Sequence, residues 1–257
     1  MADLKIVDTH THICDPAFDM DRGAVLQKAT AAGVGAIIAV GEDIADARRN
    51  IELADKYPMI RPAAGLYPTI LDLDQAEQMH AFIRSERSKL IAIGEVGLDF
   101  WVAKEEDQKA LQKEILKGFI DLAKGLNLPL NLHSRSAGRH AVALLLDCGA
   151  TRVQMHAFDG KSSAALPAVE AGFFFSIPPS VVRSRQKQKL VKHLPLSCLL
   201  VETDSPVLGP DPKQRNEPAN VTIAIQAIAE LKGISENAVV EAVGENTLGL
   251  YGNIAAG

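Results

Sequence analysis

The strongest constraint on the fold is a repeated alternation of short apolar runs with longer helical patterns. Eight runs of strand length are bounded mostly by Gly, Pro or polar residues, as is typical of strands buried in a parallel sheet. The predicted strands are Leu4–Val7, Gly35–Val40, Ile60–Leu66, Leu90–Glu95, Leu128–His133, Val153–His156, Phe173–Ser176 and Cys198–Glu202. The clearest helix covers 107–126, where apolar residues repeat at three- and four-residue spacing. Further helices are predicted over 21–32, 43–56, 74–88, 138–148, 162–171, 184–194 and 217–232, with a C-terminal pair near 235–243 and 245–251.

Eight strand–helix units fill the 257 residues at about 32 residues each, close to the minimum for a βα unit. Repeated βα units indicate a parallel sheet, and eight of them favour closure into a barrel. We therefore predict a single α/β domain over residues 1–257, a TIM-type (β/α)8 barrel. The alternative is an open doubly wound sheet, which would need a glycine-rich phosphate turn after the first strand. The chain has DTHTH there.

Charge and cysteine content restrict the classes of partner. With 27 basic and 32 acidic residues the net charge is −5, which argues against a surface coated in nucleic acid but leaves room for a local basic track. Three cysteines without a CxxC pair do not indicate a disulfide framework, so we expect a reducing compartment: the cytoplasm, with the nucleus as second choice. No apolar run is of membrane-spanning length, and the N-terminal residues leave no room for a signal peptide, so no membrane association is expected. Nothing indicates an obligate protein partner.

Polar residues that interrupt the apolar strands fall at their C-terminal ends. In a barrel these ends converge on one face, so residues distant in sequence would meet there. His10 and His12, two residues apart in an extended segment, would face the same side. The strand-end residues are Asp8, His10, His12, Glu95, His133, His156, Glu202 and Asp204. His80, His140 and His193 lie within helical patterns and are predicted to be solvated surface residues.

The donor types indicate a metal site. Imidazole and carboxylate without thiolate suit Zn²⁺, Mn²⁺, Fe²⁺ or Mg²⁺. Four histidines with two carboxylates are more than one four-coordinate ion needs, so two ions sharing a bridging carboxylate are expected. Glu95 is the best bridge, because its strand lies between those that carry the other ligands. Such a pair can hold a hydroxide and clamp the attacking and leaving oxygens of a phosphoryl group.

Several motifs resemble those of one known family, the TatD family of metal-dependent deoxyribonucleases. They are DTHTH (8–12), GEVGLDF (94–100), LPLNLHSR (128–135), MHAFDG (155–160), LLVETDSP (199–206) and RNEP (215–218). HSRSAGR (133–139), FFFSIPPS (173–180) and QKQKLVKHLPL (186–196) look most like the animal TatD-domain-containing branch. The resemblance implies a DNA nuclease, expected to act from a 3′ end on single-stranded or frayed DNA, with two divalent ions (Mg²⁺, Zn²⁺ or Mn²⁺).

The resemblance also assigns roles residue by residue. It implies a first metal held by His10, His12, Glu95 and Asp204, and a second that shares Glu95 and takes His133 and His156. Glu95 and Asp204 are then the catalytic residues, with Asp204 accepting a proton from the attacking water, a role suited to a carboxylate beside that water.

One position departs from the family pattern. Where the family reads Gly-x-His-Pro after the third strand, this chain has Gly65, Leu66, Tyr67 and Pro68. Tyr67 can donate a hydrogen bond to substrate but lacks a basic ring nitrogen, so metal loading should survive while rate or substrate preference changes.

Other residues are candidates for substrate binding or support. Arg135 follows a strand end and can bind a phosphate in bidentate fashion, and Arg183 opens a basic run over 183–193 that either follows a nucleic-acid backbone or is a solvated helix face. Asp99 and Glu202 are expected to orient metal ligands, Glu202 through His10 or His12. Phe100 and Trp101 either stack on a base or pack against a loop. Arg215, Asn216 and Glu217 are predicted to be mainly architectural.

Two other functions remain open. A metal-dependent hydrolase of amides, esters or lactones, of the amidohydrolase-like group, would be expected to bridge its metals with a carboxylated lysine after the fourth strand, where this chain has Glu95. A non-enzymatic scaffold with a vestigial barrel would have lost ligands.

Overall fold

The computed structural model describes residues 6–254 and contains eight parallel strands in one sheet, each paired with the next in sequence. The strands are β1 Ile6–Thr11, β2 Val34–Ala39, β3 Ile60–Ala64, β4 Ala92–Gly97, β5 Leu130–His133, β6 Val153–Met155, β7 Phe174–Ile177 and β8 Leu199–Val201. The helices are α1 Arg22–Ala31, α2 Ile44–Lys56, α3 Leu73–Ser85, α4 Glu106–Leu126, α5 Gly138–Asp147, α6 Ser162–Glu170, α7 Arg185–His193, α8 Val221–Lys232 and α9 Glu236–Tyr251. This is the predicted α/β barrel order.

The barrel closes through hydrogen bonds. They join residues in and just after β1 to residues in β8 and in the segment that follows it. The Asp204 amide donates to the His10 carbonyl and the His12 amide to the Ser205 carbonyl, both at 2.8 Å. The Thr9 hydroxyl donates to the Val201 carbonyl, also at 2.8 Å. Closure therefore holds the ends of β1 and β8 side by side at the C-terminal face.

Two apolar layers hold the barrel together. Between the strands and the surrounding helices lies the larger core, which includes Phe119, Phe158 and Phe175. Inside the barrel a smaller cluster of strand residues packs against the end of α9. That cluster contains Val7, Ala36, Ile38, Val40, Ala63, Ala92, Leu200, Leu250, Tyr251 and Ile254. The C-terminal helix thus fills the end of the barrel that lies opposite the C-terminal face. The C-terminal face is left for polar side chains.

Two boundaries differ from the predictions for physical reasons. The first strand, predicted over Leu4–Val7, continues to Thr11, because its polar residues find buried partners; Leu4 lies outside the described residues. The predicted C-terminal pair is one helix, α9. Its interior Gly244 costs about 1 kcal/mol relative to alanine, which is too little to break a helix packed on the core through Val239 and Val243.

The helix predicted over 217–232 begins later, at Val221, after a short 3-10 turn over Pro218–Asn220. The remaining helices agree with the predictions to within about three residues. Cys14, Cys148 and Cys198 are all free thiols. Over the described part of the chain, no helix is long and apolar enough to cross a membrane.

Candidate metal centre

All six predicted metal ligands meet at the C-terminal face of the barrel. His10 lies in β1, Glu95 in β4 and His133 at the end of β5, while His12, His156 and Asp204 follow β1, β6 and β8. The side chains of His10, Glu95, His133, His156 and Asp204 are all buried, and His12 is nearly so. The convergence expected from strand ends is therefore observed.

Glu95 lies at the middle of the cluster, and its two oxygens face different histidines. Oε2 is 3.3 Å from His12 Nε2 and 3.7 Å from His10 Nε2. Oε1 is 2.6 Å from His133 Nδ1 and 3.8 Å from His156 Nε2. One carboxylate thus divides the four histidines into two sets.

Asp204 approaches three of the same rings from the other side. Its Oδ1 lies 3.5 Å from His10 Nε2 and 3.6 Å from His12 Nε2, and its Oδ2 lies 3.8 Å from His156 Nε2. The backbone at Asp204 has φ of +54°, a region sparsely used by non-glycine residues and better tolerated by Asp than by most others. The bond from its amide to the His10 carbonyl holds this turn and directs the carboxylate into the cluster.

The side chains present fit divalent metal ions. His10 Nε2 is buried with no hydrogen-bond partner among the described residues, although it points between two carboxylates. An unpartnered buried imidazole nitrogen is costly unless a ligand satisfies it. Two sets of donors, each within 4.8 Å of one another, share Glu95: one adds His10 and His12, the other His133 and His156.

The electrostatics favour positive charge at the same point. Burial disfavours protonated His10, but the negative charges of Glu95 and Asp204 outweigh it and raise the pKa of His10 to about 10. The pKa of His133 rises to about 9, where burial is opposed by Glu95 and Asp99. Burial disfavours ionised Glu95, yet the neighbouring His133 and His10 hold the pKa of Glu95 well below its usual value. A divalent cation would supply the positive charge that the carboxylates favour and would displace the protons from these histidines.

A network of buried uncharged groups supports His10 from inside the barrel. Asn131 Oδ1 is 2.7 Å from His10 Nδ1, and Asn131 Nδ2 donates to the Thr9 carbonyl at 2.9 Å and to the Tyr251 hydroxyl at 3.4 Å. The Tyr251 hydroxyl donates to Gln154 Oε1 at 2.6 Å. These partners leave His10 Nε2 free to face the carboxylates. The sequence analysis did not identify Asn131, Gln154 or Tyr251.

Glu202 supports a different histidine from the one predicted. It was expected to bond to His10 or His12, but its Oε2 lies 2.9 Å from His156 Nδ1 and accepts from the Ser176 hydroxyl at 2.5 Å. Its Oε1 accepts from the Ala157 amide at 2.9 Å. The reason is that Asn131 already occupies His10 Nδ1, and β8 lies beside β7 and near the loop after β6.

Asp99 contacts a candidate ligand, as predicted. Its Oδ2 is 3.2 Å from His133 Nε2, and its Oδ1 accepts from the amides of Trp101 and Val102 at 2.9 and 3.0 Å. Asp99 therefore fixes both the ring of His133 and the loop that follows β4. This arrangement leaves His133 Nδ1 directed at Glu95.

An open cavity of about 540 Å³ lies above the cluster. Five of the six predicted ligands line it: His12, Glu95, His133, His156 and Asp204. Tyr67, Arg135 and Lys187 form part of its wall. The ring of Tyr67 packs edge-on against His133 with centroids 5.2 Å apart, and burial raises the pKa of its phenol, so the phenol stays protonated.

The basic run contributes Lys187 to the cavity, whereas Arg183 lies outside it. Arg183 is exposed, its Nε donates to the Gly209 carbonyl at 3.1 Å, and it is not among the described residues that line the cavity. Lys187, one turn further along, enters instead and donates to the Ala157 carbonyl at 3.0 Å. Burial lowers its pKa. The helical spacing of the run turns the Lys187 side chain toward the cavity. A count of the charges along the sequence does not reveal this orientation.

The remaining predictions have mixed outcomes. Arg215 pairs with Asp21 at 2.6 Å, Asn216 bonds to the Thr203 and Val207 carbonyls, and Glu217 pairs with Lys28, so this segment is architectural as predicted. His80, predicted as a solvated surface residue, is instead largely buried, with its ring against Phe119 at 4.5 Å.

Comparisons with known proteins identify relatives of the chain. The family model described as TatD related DNase matches residues 7–252. The chain is 45% identical to human "Deoxyribonuclease TATDN3" over 97% of this chain and 96% of that protein. It is 34% identical to YabD of Bacillus subtilis, an uncharacterised metal-dependent hydrolase, over 96% and 98% of the two chains.

The fold comparison gives the same result. The crystal structure of YjjV, a TatD homologue from Escherichia coli, superimposes with a TM-score of 0.88 at 29% identity and covers 97% of this chain and 98% of that one. The order of the strands, the converging ligands and these matches lead to one conclusion: the chain belongs to the TatD-related DNase family.

Proposed function

We propose that this protein is a metal-dependent hydrolase that cleaves phosphodiester bonds in DNA, acting from a 3′ end on single-stranded or frayed substrate. One observation carries the proposal: the two oxygens of Glu95 face separate sets of histidines. A carboxylate shared between two sets of donors can hold two ions close enough together to clamp the attacking and leaving oxygens of a phosphodiester. The name of the human relative, a deoxyribonuclease, favours DNA as the polymer.

The same geometry suggests which residues hold each ion. His10, His12, Glu95 and Asp204 would hold one divalent ion, and Glu95, His133 and His156 the other. Mg²⁺, Mn²⁺ and Zn²⁺ all suit this set of nitrogen and oxygen donors. When bound, the two ions polarise a phosphoryl oxygen and stabilise the negative charge that develops on the attacking and leaving oxygens.

Asp204 is the proposed general base. Burial disfavours its charged form, but His156 and His10 outweigh this effect and lower the pKa of the carboxyl, so it is ionised at neutral pH. It lines the cavity where a phosphate would lie, and it can accept a proton from the attacking water.

Three wall residues are proposed to bind the substrate. The Arg135 guanidinium can bind a phosphate through two parallel hydrogen bonds, and the Lys187 ammonium adds a second positive charge to the wall. The protonated hydroxyl of Tyr67 can donate a hydrogen bond to a phosphoryl oxygen. Within the basic run over 183–193, Lys187 lines the cavity, and Arg183, which is exposed outside it, is proposed to contact the nucleic-acid backbone further along.

Parallel assays test the function. The metal-depleted protein is reconstituted separately with Mg²⁺, Mn²⁺ and Zn²⁺ and given single-stranded DNA, duplex DNA, RNA, a simple phosphodiester and a lactone. We expect metal-dependent cleavage that is fastest on single-stranded DNA, with stepwise shortening of a 5′-labelled strand. The Asp204→Asn variant, purified in the same way, controls for contaminating nucleases. Turnover of the lactone alone would establish the amide, ester or lactone hydrolase as the function instead.

Two further expectations stay predictions. A single domain over 1–257 is supported by the family match over residues 7–252. A cytoplasmic location, with the nucleus as second choice, is consistent with three free cysteines.

A further inference from the structure

Beside the metal centre, the loop after β4 presents an exposed aromatic ring in a fixed position. Trp101 is 57% exposed and is the only tryptophan in the sequence. A single exposed aromatic residue would by itself need no explanation. Here, however, the backbone around the ring is anchored on several sides, which is unusual for a surface loop.

Four hydrogen bonds fix this loop. The amides of Trp101 and Val102 donate to Asp99 Oδ1, the carboxylate that also contacts His133. The Phe100 amide donates to the Arg135 carbonyl at 3.0 Å, which joins the loop to the segment after β5. The Asp99 amide donates to the side chain of Gln112 in α4. The indole is thus held at a defined place relative to the candidate metal ligands.

Positive charge surrounds the ring. The Arg135 guanidinium carbon lies 5.1 Å and the Lys104 ammonium 5.0 Å from the indole centroid. Arg135 also lines the cavity above the metal centre, so it connects the ring with the place where a phosphate would bind. Further along, Lys113 lies 5.9 Å from the ring of Phe100, and Lys109 is paired with Glu106.

We propose that Trp101 and Arg135 form a base-stacking subsite for single-stranded DNA at the edge of the cavity. The indole stacks on a base next to the bond that is cleaved, and the Arg135 guanidinium contacts the phosphate between that base and the metal centre. This inference rests on the proposed function. A base stacked on an aromatic ring is bound more strongly than an exposed cation over the same ring, so a base can displace one of the two cations.

The chemistry selects single-stranded nucleic acid over other polyanions. An aromatic face beside cations satisfies both the base and the phosphate of one nucleotide, which is how single-strand binding proteins hold their ligands. In a duplex the base faces are already stacked on one another, so only a single-stranded or frayed end can place a base on the ring.

Fluorescence provides the first test, because Trp101 is the only indole in the sequence. The metal-loaded protein is titrated with a phosphorothioate oligothymidylate, which resists cleavage, and with an abasic strand of equal length. We expect saturable quenching by the oligothymidylate and little quenching by the abasic strand. Equal quenching by the two strands, or none with either, would overturn the subsite.

Kinetics provide the second test. In Trp101→Ala we expect KM for oligothymidylate to rise about tenfold, the loss of one stacked base, with kcat changed much less. The ratio of catalytic efficiency on oligothymidylate to that on bis(p-nitrophenyl) phosphate should fall by the same factor. Trp101→Phe keeps an aromatic face and should recover most of the loss. Arg135→Gln should raise KM and reduce its dependence on salt concentration.

The control is Val102→Ala, because Val102 is the adjacent residue in the same loop and is 52% exposed. It should have the parent KM for oligothymidylate. If Trp101→Ala also has the parent KM while the wild type cleaves DNA, the subsite is wrong and the nuclease function stands. If the wild type cleaves no DNA under any metal condition, the nuclease function fails and the subsite fails with it.

Discussion

The four histidines of the metal centre fall into two layers that are supported in different ways. The inner pair, His10 and His156, stacks with ring centroids 3.5 Å apart and lies deepest in the barrel. The outer pair, His12 and His133, is about one-tenth exposed, and both rings line the cavity, which only His156 of the inner pair also reaches. Glu95 faces all four rings, and Asp204 faces every one of them except His133, so the two layers share their central carboxylates and differ mainly in the groups that hold them.

The two pairs of histidines are held in place by different kinds of chemical group. Uncharged groups in the barrel interior, together with Glu202, hold the inner pair, and these groups come from the neighbouring strands β5 and β6 and from the C-terminal helix. In the outer pair, the ring of His133 is held by the Asp99 turn at the rim, which also carries Trp101, and the backbone of His12 bonds to the segment after β8. The inner layer is therefore part of the folded core, whereas the outer layer belongs to the substrate-binding surface. Mutations in the two layers should have different consequences.

The largest effect is expected where the layers meet, at Asp204. Asp204→Asn removes the proposed base but leaves an oxygen to face His10 and His12. We expect kcat on single-stranded DNA to fall about a thousandfold, the usual contribution of a positioned base. Metal content, measured by atomic emission, should remain near that of the parent. Cleavage at the parental rate would show that Asp204 is not the base.

A change in the support of the inner pair should affect metal binding and folding together. Asn131→Leu leaves His10 Nδ1 without its buried partner and removes one of the two side-chain donors to the Thr9 carbonyl, the other being Gln154. We expect a loss of about 2 kcal/mol in the free energy of unfolding and roughly tenfold weaker metal binding. Urea denaturation and calorimetric metal titration measure the two effects.

The control for this variant is Asn246→Leu. Asn246 donates to the Leu196 and Leu199 carbonyls, outside the metal centre. It should reduce the stability without weakening metal binding. If Asn131→Leu binds metal as tightly as the parent, the interior network does not position His10.

A change in the support of the outer pair should leave the stability of the core nearly intact. Asp99→Asn retains an oxygen for the amides of Trp101 and Val102 but loses the carboxylate that faces His133. We expect kcat to fall about tenfold with little change in the urea midpoint. A large drop in the urea midpoint would show that Asp99 belongs to the core, as the inner layer does.

The smallest effect is expected at the wall of the cavity. Tyr67→His restores the residue that is common in the family and should leave the metal content unchanged, because Tyr67 packs against His133 from outside the ligand cluster. We expect the rate on single-stranded DNA to change by about fivefold or less, the equivalent of one hydrogen bond. Loss of metal from Tyr67→His would instead show that this position helps to hold the ligand cluster together.

The convergence of the six candidate ligands could be predicted from sequence, because strand ends are where parallel barrels place their sites. His10, His12, Glu95, His133, His156 and Asp204 each interrupt or follow an apolar run, and the structure brings them together. The order of the eight strands followed from the same pattern.

The residues that hold the histidines in place could not be predicted in the same way. Asn131 and Gln154 lie two residues before His133 and His156, a spacing that places them on the same side of their strands. That spacing is a usable signal, but it does not show that Tyr251, from the far end of the chain, bonds to both. Likewise, the partner of Glu202 depends on which histidine nitrogen is already occupied, and the choice of Lys187 over Arg183 depends on helix orientation. These are properties of the packed chain.

The central claim is that Glu95 joins two metal sites into one centre, and a calorimetric titration of the metal-free protein with Mn²⁺ or Zn²⁺ tests it most directly. The wild type should bind two ions per chain, whereas Glu95→Ala should lose tight binding at both sites, because each set of histidines faces one oxygen of this carboxylate. A wild type that binds only one ion, or a Glu95→Ala variant that keeps one at parental affinity, would contradict the account.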